Sequence, residues 1–178
     1  MNENFNRVLS IDPGTRFMGF AVLDDEGLTY YAIKTINDRR TPRRIFHRAK
    51  EFLREFVRDY KPSVVAIEKP FVYQTSAAVV SVLADELKKE AERVGLNAYQ
   101  YTPTSIRQYL CQSGTATKPD VAKAVAGLFP ELNYYLNPMH EWTEKYYSNL
   151  FDAIAVGLMC RHDLQSREAP AAGLAEAA

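Results

Sequence analysis

The chain has 178 residues with 22 basic and 22 acidic side chains, 47% hydrophobic residues and only 8 glycines, which excludes a disordered, fibrous or repetitive chain and points to one compact domain. Its apolar runs stop after a few residues, which excludes a membrane-spanning helix and a secretory leader and makes a cytoplasmic protein the expectation. Two cysteines, Cys111 and Cys160, are too few for a disulfide framework and form no C-x-x-C pair, so both are expected as buried, reduced thiols.

Residues 7–11 (R-V-L-S-I) are β-rich and run into Asp12-Pro13-Gly14-Thr15, where the Pro-Gly pair must turn the chain. The first strand therefore ends at a carboxylate. Residues 17–23 form a second apolar run, Asp24-Asp25-Glu26-Gly27 a turn, and residues 28–36 a third strand, which together make an antiparallel meander. Thr41-Pro42 opens a helix in which Ile45, Phe46, Ala49, Phe52, Leu53, Phe56 and Val57 recur at three- and four-residue spacing until Lys61-Pro62. Residues 63–67 (S-V-V-A-I) are a short unbroken apolar run, as expected of a strand covered on both faces and parallel to an earlier one; this strand too ends at a carboxylate, Glu68. A second helix over 76–94 stops at Gly95, and residues 97–102 fit a fifth strand. The remainder reads as helix over 104–112 and over 119–128 behind a capping Thr117, an irregular aromatic stretch over 130–147, and a last helix over 148–162 that is apolar almost all round. The expected fold is α/β, a five-stranded mixed sheet flanked by helices over residues 1–165, followed by a flexible tail over 166–178.

Asp12 and Glu68 end two strands expected to be neighbours, at the sheet edge where open α/β folds place their sites. Asp152 stands in an otherwise apolar helix, where a lone carboxylate is costly unless it is paired or bound to a cation. Each has a plain alternative: a turn-forming Asp, a solvated strand end, a satisfied buried Asp. Three acids converging on one sheet end point instead to an oxygen-ligand site for Mg²⁺ or Mn²⁺.

Four segments in order carry a family resemblance: I-D-P-G-T at 11–15 followed by Met18-Gly19-Phe20-Ala21, E-K-P-F at 68–71, the stretch 103–121, and F-D-A-I-A-V-G at 151–157. With them the chain resembles the RuvC-type Holliday junction resolvases, crossover junction endodeoxyribonucleases of the ribonuclease H-like superfamily. The resemblance implies a ribonuclease H-like fold and a metal-dependent endonuclease that cuts four-way DNA junctions by paired nicks, leaving 5′-phosphate and 3′-hydroxyl ends. It also implies Asp12, Glu68 and Asp152 as catalytic ligands of two Mg²⁺ ions, replaceable by Mn²⁺, one activating water and the other stabilising the leaving oxygen. The family's fourth ligand position falls on Asn149, three residues before Asp152, which offers a neutral carbonyl oxygen in place of a charged group. His140, Glu141 and Glu144 are alternatives for completing the set.

The resemblance further gives Phe71 a stacking role on unpaired bases, with core packing as the alternative, and makes Gly114-x-x-x-Lys118 a loop leading to a lysine beside the active site. Lys118, Lys123 and Arg107 are expected to meet phosphates. Arg39, Arg40, Arg43, Arg44, Arg48 and Lys50 form a basic block with no acid among residues 39–50, either a solvated helix face or a contact for a DNA arm, and His47 within it reads as a bystander. In the second helix Ala77, Ala78, Val79, Val80, Val82, Leu83 and Ala84 present more apolar surface than one sheet face needs. That excess fits a two-fold homodimer, whose paired sites would supply the two cuts a four-way junction requires. The expected setting is DNA recombination and repair, with branch-migration machinery as a partner. A ribonuclease H-like nuclease acting on RNA or other branched DNA, or a junction-binding protein with impaired catalysis, stays open as an alternative. D-P-G-T also occurs in ATP-binding proteins of the actin and sugar-kinase type, but 178 residues leave little room for their second lobe.

Overall fold

The computed structural model describes residues 7–71, 75–136 and 141–172. Strands β1 (Val8–Asp12), β2 (Phe17–Asp24), β3 (Gly27–Thr35), β4 (Val64–Glu68) and β5 (Asn97–Tyr101) form one sheet in the order β3-β2-β1-β4-β5. The first three are antiparallel neighbours; β4 lies parallel to β1, and β5 parallel to β4. Both the meander and the parallel strand expected from the sequence are therefore present. The β2–β3 turn is held by Asp24, which accepts from the Thr29 hydroxyl at 2.7 Å and the Glu26 amide at 3.2 Å, and Gly27 takes a φ of 126° that other residues rarely adopt.

Helices α1 (Pro42–Tyr60) and α2 (Thr75–Arg93) cover one face of the sheet, and α3 (Pro103–Cys111), α4 (Lys118–Leu128) and α5 (Glu141–Ala172) the other. The Thr41 hydroxyl caps α1 by accepting from the Arg44 amide, and Lys61 ends the helix in the left-handed region at a φ of 47°. Alternation along the strands sends Leu9, Ile11, Val65 and Ile67 under α1 and α2, where Phe20 stacks on Phe56 with ring centres 4.5 Å apart. Val8, Val64 and Ala66 face the other way, onto Leu150, Ile154 and Val156 of α5. Each fully buried side chain of this size contributes roughly 1.5–3 kcal/mol, so the two clusters supply the main favourable term of folding.

Close approach of α5 to the sheet depends on small residues. A Cβ on Gly19 would fall 1.8 Å from the Asn149 carbonyl oxygen, and one on Gly157 would fall 2.7 Å from the Ser10 hydroxyl.

Several expectations are corrected. Residues 141–147 are helical rather than irregular, because Tyr147 continues at three- and four-residue spacing the stripe of Leu150, Phe151 and Ile154 that packs on the sheet. Pro130–Leu136 forms a short 3-10 helix, and α5 continues to Ala172, into the stretch expected as tail. Both cysteines are free, but only Cys160 is fully buried; Cys111 is partly exposed. Among the described residues no helix is long and apolar enough to cross a membrane.

Candidate active site

The register of β1 with β4, from Val8 against Val64 to Ile11 against Ile67, puts Asp12 and Glu68 at adjacent strand ends. Ser10 and Ala66 face α5, so two residues further on Asp12 and Glu68 face it as well. Asp152 comes down onto this edge from α5: its neighbour Ala153 lies against Gly19, and Gly19 pairs with Asp12 across β1 and β2. Asp12 and Asp152 are buried, at 8% and 7% exposure, so their charges have little water to screen them.

The electrostatics record this convergence. Burial first, then the Glu68 and Asp152 carboxylates, push Asp12 well above the ordinary aspartate range, against the opposing charge of Lys118. Glu68 is pushed up to about 8 by burial and by Asp152, against Lys118 and Arg107. Lys118 opens α4 behind Thr117, whose hydroxyl and amide exchange hydrogen bonds with Asp120 in a reciprocal cap. From there its ammonium pairs with Asp152. Burial disfavours its charge, but Asp152, Asp12 and Glu68 outweigh that and hold its pKa above the usual lysine value. One ammonium thus faces three carboxyl groups, too little positive charge for all of them to ionise at neutral pH.

That residue set suits a hard dication: oxygen donors, and carboxyls whose ionisation is suppressed while no cation is bound and would be restored by one. Among the described residues no three His, Cys, Asp or Glu side chains are already closed into a ligand cage, and Asp152 is engaged by Lys118. Asn149 donates from Nδ2 to the Phe17 carbonyl at 2.8 Å, with its Oδ1 taking a long contact of 3.4 Å from the Ser148 hydroxyl. It lies well inside α5, so it is no cap for the helix start. His140 and the side chains of Glu141 and Glu144 lie outside the described residues.

The family model of crossover junction endodeoxyribonuclease RuvC matches residues 8–158, a span that contains every residue of this edge. The chain belongs to the RuvC family. A RuvC of Rubrobacter xylanophilus is 34% identical over 128 residues, covering 68% of this chain and 71% of its own length. The structure of Thermus thermophilus RuvC matches with a TM-score of 0.69 at 26% identity, over 92% of this chain and 96% of that one. T. thermophilus RuvC in complex with Holliday junction substrate matches with a TM-score of 0.65 at 24% identity, over 85% and 90%. RuvC membership brings the ribonuclease H-like fold, the class of phosphodiester-hydrolysing nucleases and a dependence on divalent metal.

The remaining sequence-derived residues of this RuvC member divide by their charge partners. Phe71, just beyond Glu68, is 55% exposed, against the reading of core packing. Arg107 acts on Glu68 through its charge from α3, and Lys123 is exposed on α4. The basic block is less free than its composition suggests. Asp38, immediately upstream, accepts from Arg40 Nε and Nη2 at 3.0 Å each and also pairs with Arg44, while Arg48 pairs with Glu51 at 2.9 Å. Lys50 reaches across to Glu86 on α2 at 2.6 Å. Arg39 and Arg43 make no ion pair among the described residues, and Arg43, Arg44, His47 and Arg48 line a groove of about 830 Å³. That groove opens at the same sheet end as the carboxylates, since its Thr35 pairs with Phe17 at the start of β2. Arg16, at the base of the β1–β2 turn, is a cation that composition and motif reading passed over.

Proposed function

We propose that this RuvC-family chain is a structure-selective DNA endonuclease that resolves four-way junctions by paired symmetric nicks, leaving 5′-phosphate and 3′-hydroxyl ends. The observation that carries the reading is the group of three acids, Asp12, Glu68 and Asp152, on two adjacent strand ends and a crossing helix, two of them with ionisation suppressed by burial and by one another. Asp12, Glu68 and Asp152 would hold Mg²⁺, or Mn²⁺ in its place, at two ions per site, with the Asn149 carbonyl as a neutral fourth donor. When bound, such ions supply activation of water and stabilisation of the leaving oxygen.

The chain's own residues do the rest. Asp12 and Glu68 are fixed by strand pairing and need no rearrangement. Asp152 becomes available when Lys118 releases it, and the freed ammonium is then at hand for a phosphate beside the cut. Arg107 and Lys123 extend that positive edge along α3 and α4, and Phe71 offers an exposed ring to an opened base. Arg43 and the groove on α1, with Arg40 and Arg44 once they exchange Asp38 for phosphate, receive a DNA arm. On α2, Leu83, Ala84 and Leu87 face the sheet while Val82 remains 49% exposed, which supports a homodimer through this helix. Recombination and repair in the cytoplasm, beside branch-migration machinery, is the setting that fits such an activity.

The test is a synthetic mobile four-way junction, with flap, duplex and RNA substrates beside it, incubated with and without Mg²⁺. Paired nicks confined to the four-way junction and to metal-containing reactions are expected. Tight junction binding without cleavage in either Mg²⁺ or Mn²⁺ would make the chain a binding protein instead.

A further inference from the structure

Arg16 ends the β1–β2 turn, directly after D-P-G-T, and its carbonyl accepts from the Ile36 amide at 2.8 Å, which ties the turn to the end of β3. The side chain is exposed, and its guanidinium lies over the Phe17 ring, 4.9 Å from the centre. Phe17 is itself held in place: Tyr146 meets it edge-on at 5.0 Å, and Asn149 donates to its carbonyl. Alternation along β2 gives Phe17 the same face as Gly19, the α5 face, and Gly19 pairs with Asp12. The guanidinium is therefore held at the same sheet end as the carboxylates, on the β2 side of them. Lys118 and Arg107 act on the same carboxylates from α4 and α3.

Charge pairing separates Arg16 from most other arginines. Arg40, Arg44, Arg48, Arg54, Arg58 and Arg93 are each tied to a carboxylate, whereas Arg16 makes no ion pair among the described residues. A guanidinium stacked on a ring and unpaired can accept an anion without breaking an ion pair, and the stack removes part of the rotamer freedom it would otherwise lose.

We infer that Arg16 is a positioning residue: braced by Phe17, it binds a backbone phosphate of the cleaved strand flanking the scissile one, on the β2 side of the carboxylates. The inference rests on the nuclease reading above and adds a contact that reading does not require.

The experiment measures binding of a synthetic four-way junction by fluorescence anisotropy in EDTA across a range of salt concentrations. Arg16→Gln is expected to weaken binding about five- to tenfold near 0.1 M salt and to reduce the slope of log K against log salt by about 1, with the melting temperature unchanged. Arg16→Lys should keep the wild-type slope, since the charge remains. Phe17→Leu should keep the slope but bind more weakly than wild type, because the charge loses its brace. Arg58→Gln, at the far end of α1, should change neither quantity. A wild-type slope for Arg16→Gln, or a loss of binding that follows a lowered melting temperature, overturns the assignment while leaving the nuclease reading intact. Wild-type protein that fails to bind the junction at all would overturn both.

Discussion

The two faces of the sheet are built from the same strands, yet they do different things. Under α1 and α2, Leu9 and Ile11 of β1 and Val65 and Ile67 of β4 are apolar from one end of the strand to the other, and Phe52 and Phe56 of α1 close over them and over Phe20 of β2. Under α5 the alternate residues grade along each strand, from Val8 through Ser10 to Asp12 and from Val64 through Ala66 to Glu68. The large apolar side chains of the first face fix the register. The small residues of the second let α5 lie close enough to bring Asp152 onto the acids. A slip of one residue would exchange the two faces, so the interactions that stabilise the fold are also those that aim the carboxylates.

The sharpest way to break this comparison is to substitute both faces. Asp12→Asn, Glu68→Gln and Asp152→Asn are each expected to lower the cleavage rate by about a hundredfold or more while junction binding survives, because each removes metal-directed charge and leaves the basic contacts in place. Phe52→Ala on the other face should cost about 3–5 kcal/mol of stability and leave the rate per folded molecule unchanged. Single-turnover cleavage at saturating protein, beside thermal melting, measures both. A near-normal rate in any of the carboxylate variants would remove that residue from the site.

The closeness of α5 gives the next largest effect. Gly19→Ala places a methyl 1.8 Å from the Asn149 carbonyl oxygen, and backbone cannot move aside as a side chain can. The variant is expected to lose about 1–3 kcal/mol and roughly tenfold in rate, as Asp152 is levered away from Asp12. Gly127→Ala, in α4 with nothing within 4 Å of the new Cβ, should instead gain up to about 1 kcal/mol and cleave normally. Equal effects from the two glycines would mean that α5 is not held by close contact.

Much of this is legible in the sequence where the signal is local. Asp12 and Glu68 announce themselves because each ends a short β-rich run just before a turn or a proline, and the strand boundaries follow from the same residues. Thr41 and Thr117 mark helix starts by their own capping chemistry, whereas Thr102, read as the end of the fifth strand, is the cap of α3. Contacts between distant segments are not legible in this way. Nothing near Lys118 in the chain states that its ammonium reaches Asp152, and the partners of the basic block, Asp38 and Glu51, stand just outside the window that made it look unpaired. The start of α5 is hidden because an aromatic-rich stretch suits loop or strand as well as helix. Packing of Tyr146 on Phe17 and of Tyr147 on Tyr135 decides the matter, and both partners lie in other elements.

A smaller effect separates the acidic edge from ordinary surface acids by pH. Glu68 titrates at about 8 in the folded protein against an ordinary 4.5, raised chiefly by burial, so the folded state holds its proton more tightly than the unfolded chain does. The stability this contributes is complete below about pH 4.5 and is lost as pH rises through about 8. Asp12 shifts in the same direction. Glu90 behaves oppositely: Arg93 and Arg54 hold it down to about 2, so its contribution is lost only in acid, outside this window. Metal-free wild-type protein should therefore melt lower at pH 8 than at pH 6, Glu68→Gln should flatten that dependence and raise the pH 8 melting temperature by about 5 °C, and Mg²⁺ should stabilise wild type more at pH 8 than at pH 6. A metal-free melting temperature that rises steadily from pH 5 to 8 would contradict the raised carboxyl.

The finest distinction concerns Asn149, where the two requirements of the α5 face, close packing and metal binding, meet in one side chain. Its Nδ2 donates to the Phe17 carbonyl at 2.8 Å, which makes the amide a strut between α5 and β2. If that is its whole role, Asn149→Asp sets a carboxylate against a carbonyl oxygen, loses about 1–2 kcal/mol, and leaves the Mg²⁺ dependence of cleavage unchanged. If its carbonyl oxygen is also a ligand, the added negative charge three residues from Asp152 should tighten the weaker ion and lower the Mg²⁺ concentration for half-maximal cleavage, whatever happens to stability. Asn149→Leu removes both the donor and the ligand oxygen, so it should melt lower in either case and raise that Mg²⁺ concentration only if the oxygen is a ligand. We expect the Asp variant to need less Mg²⁺ and the Leu variant more. Unchanged titration midpoints in both, beside lowered melting temperatures, would reduce Asn149 to the strut and remove it from the ligand set.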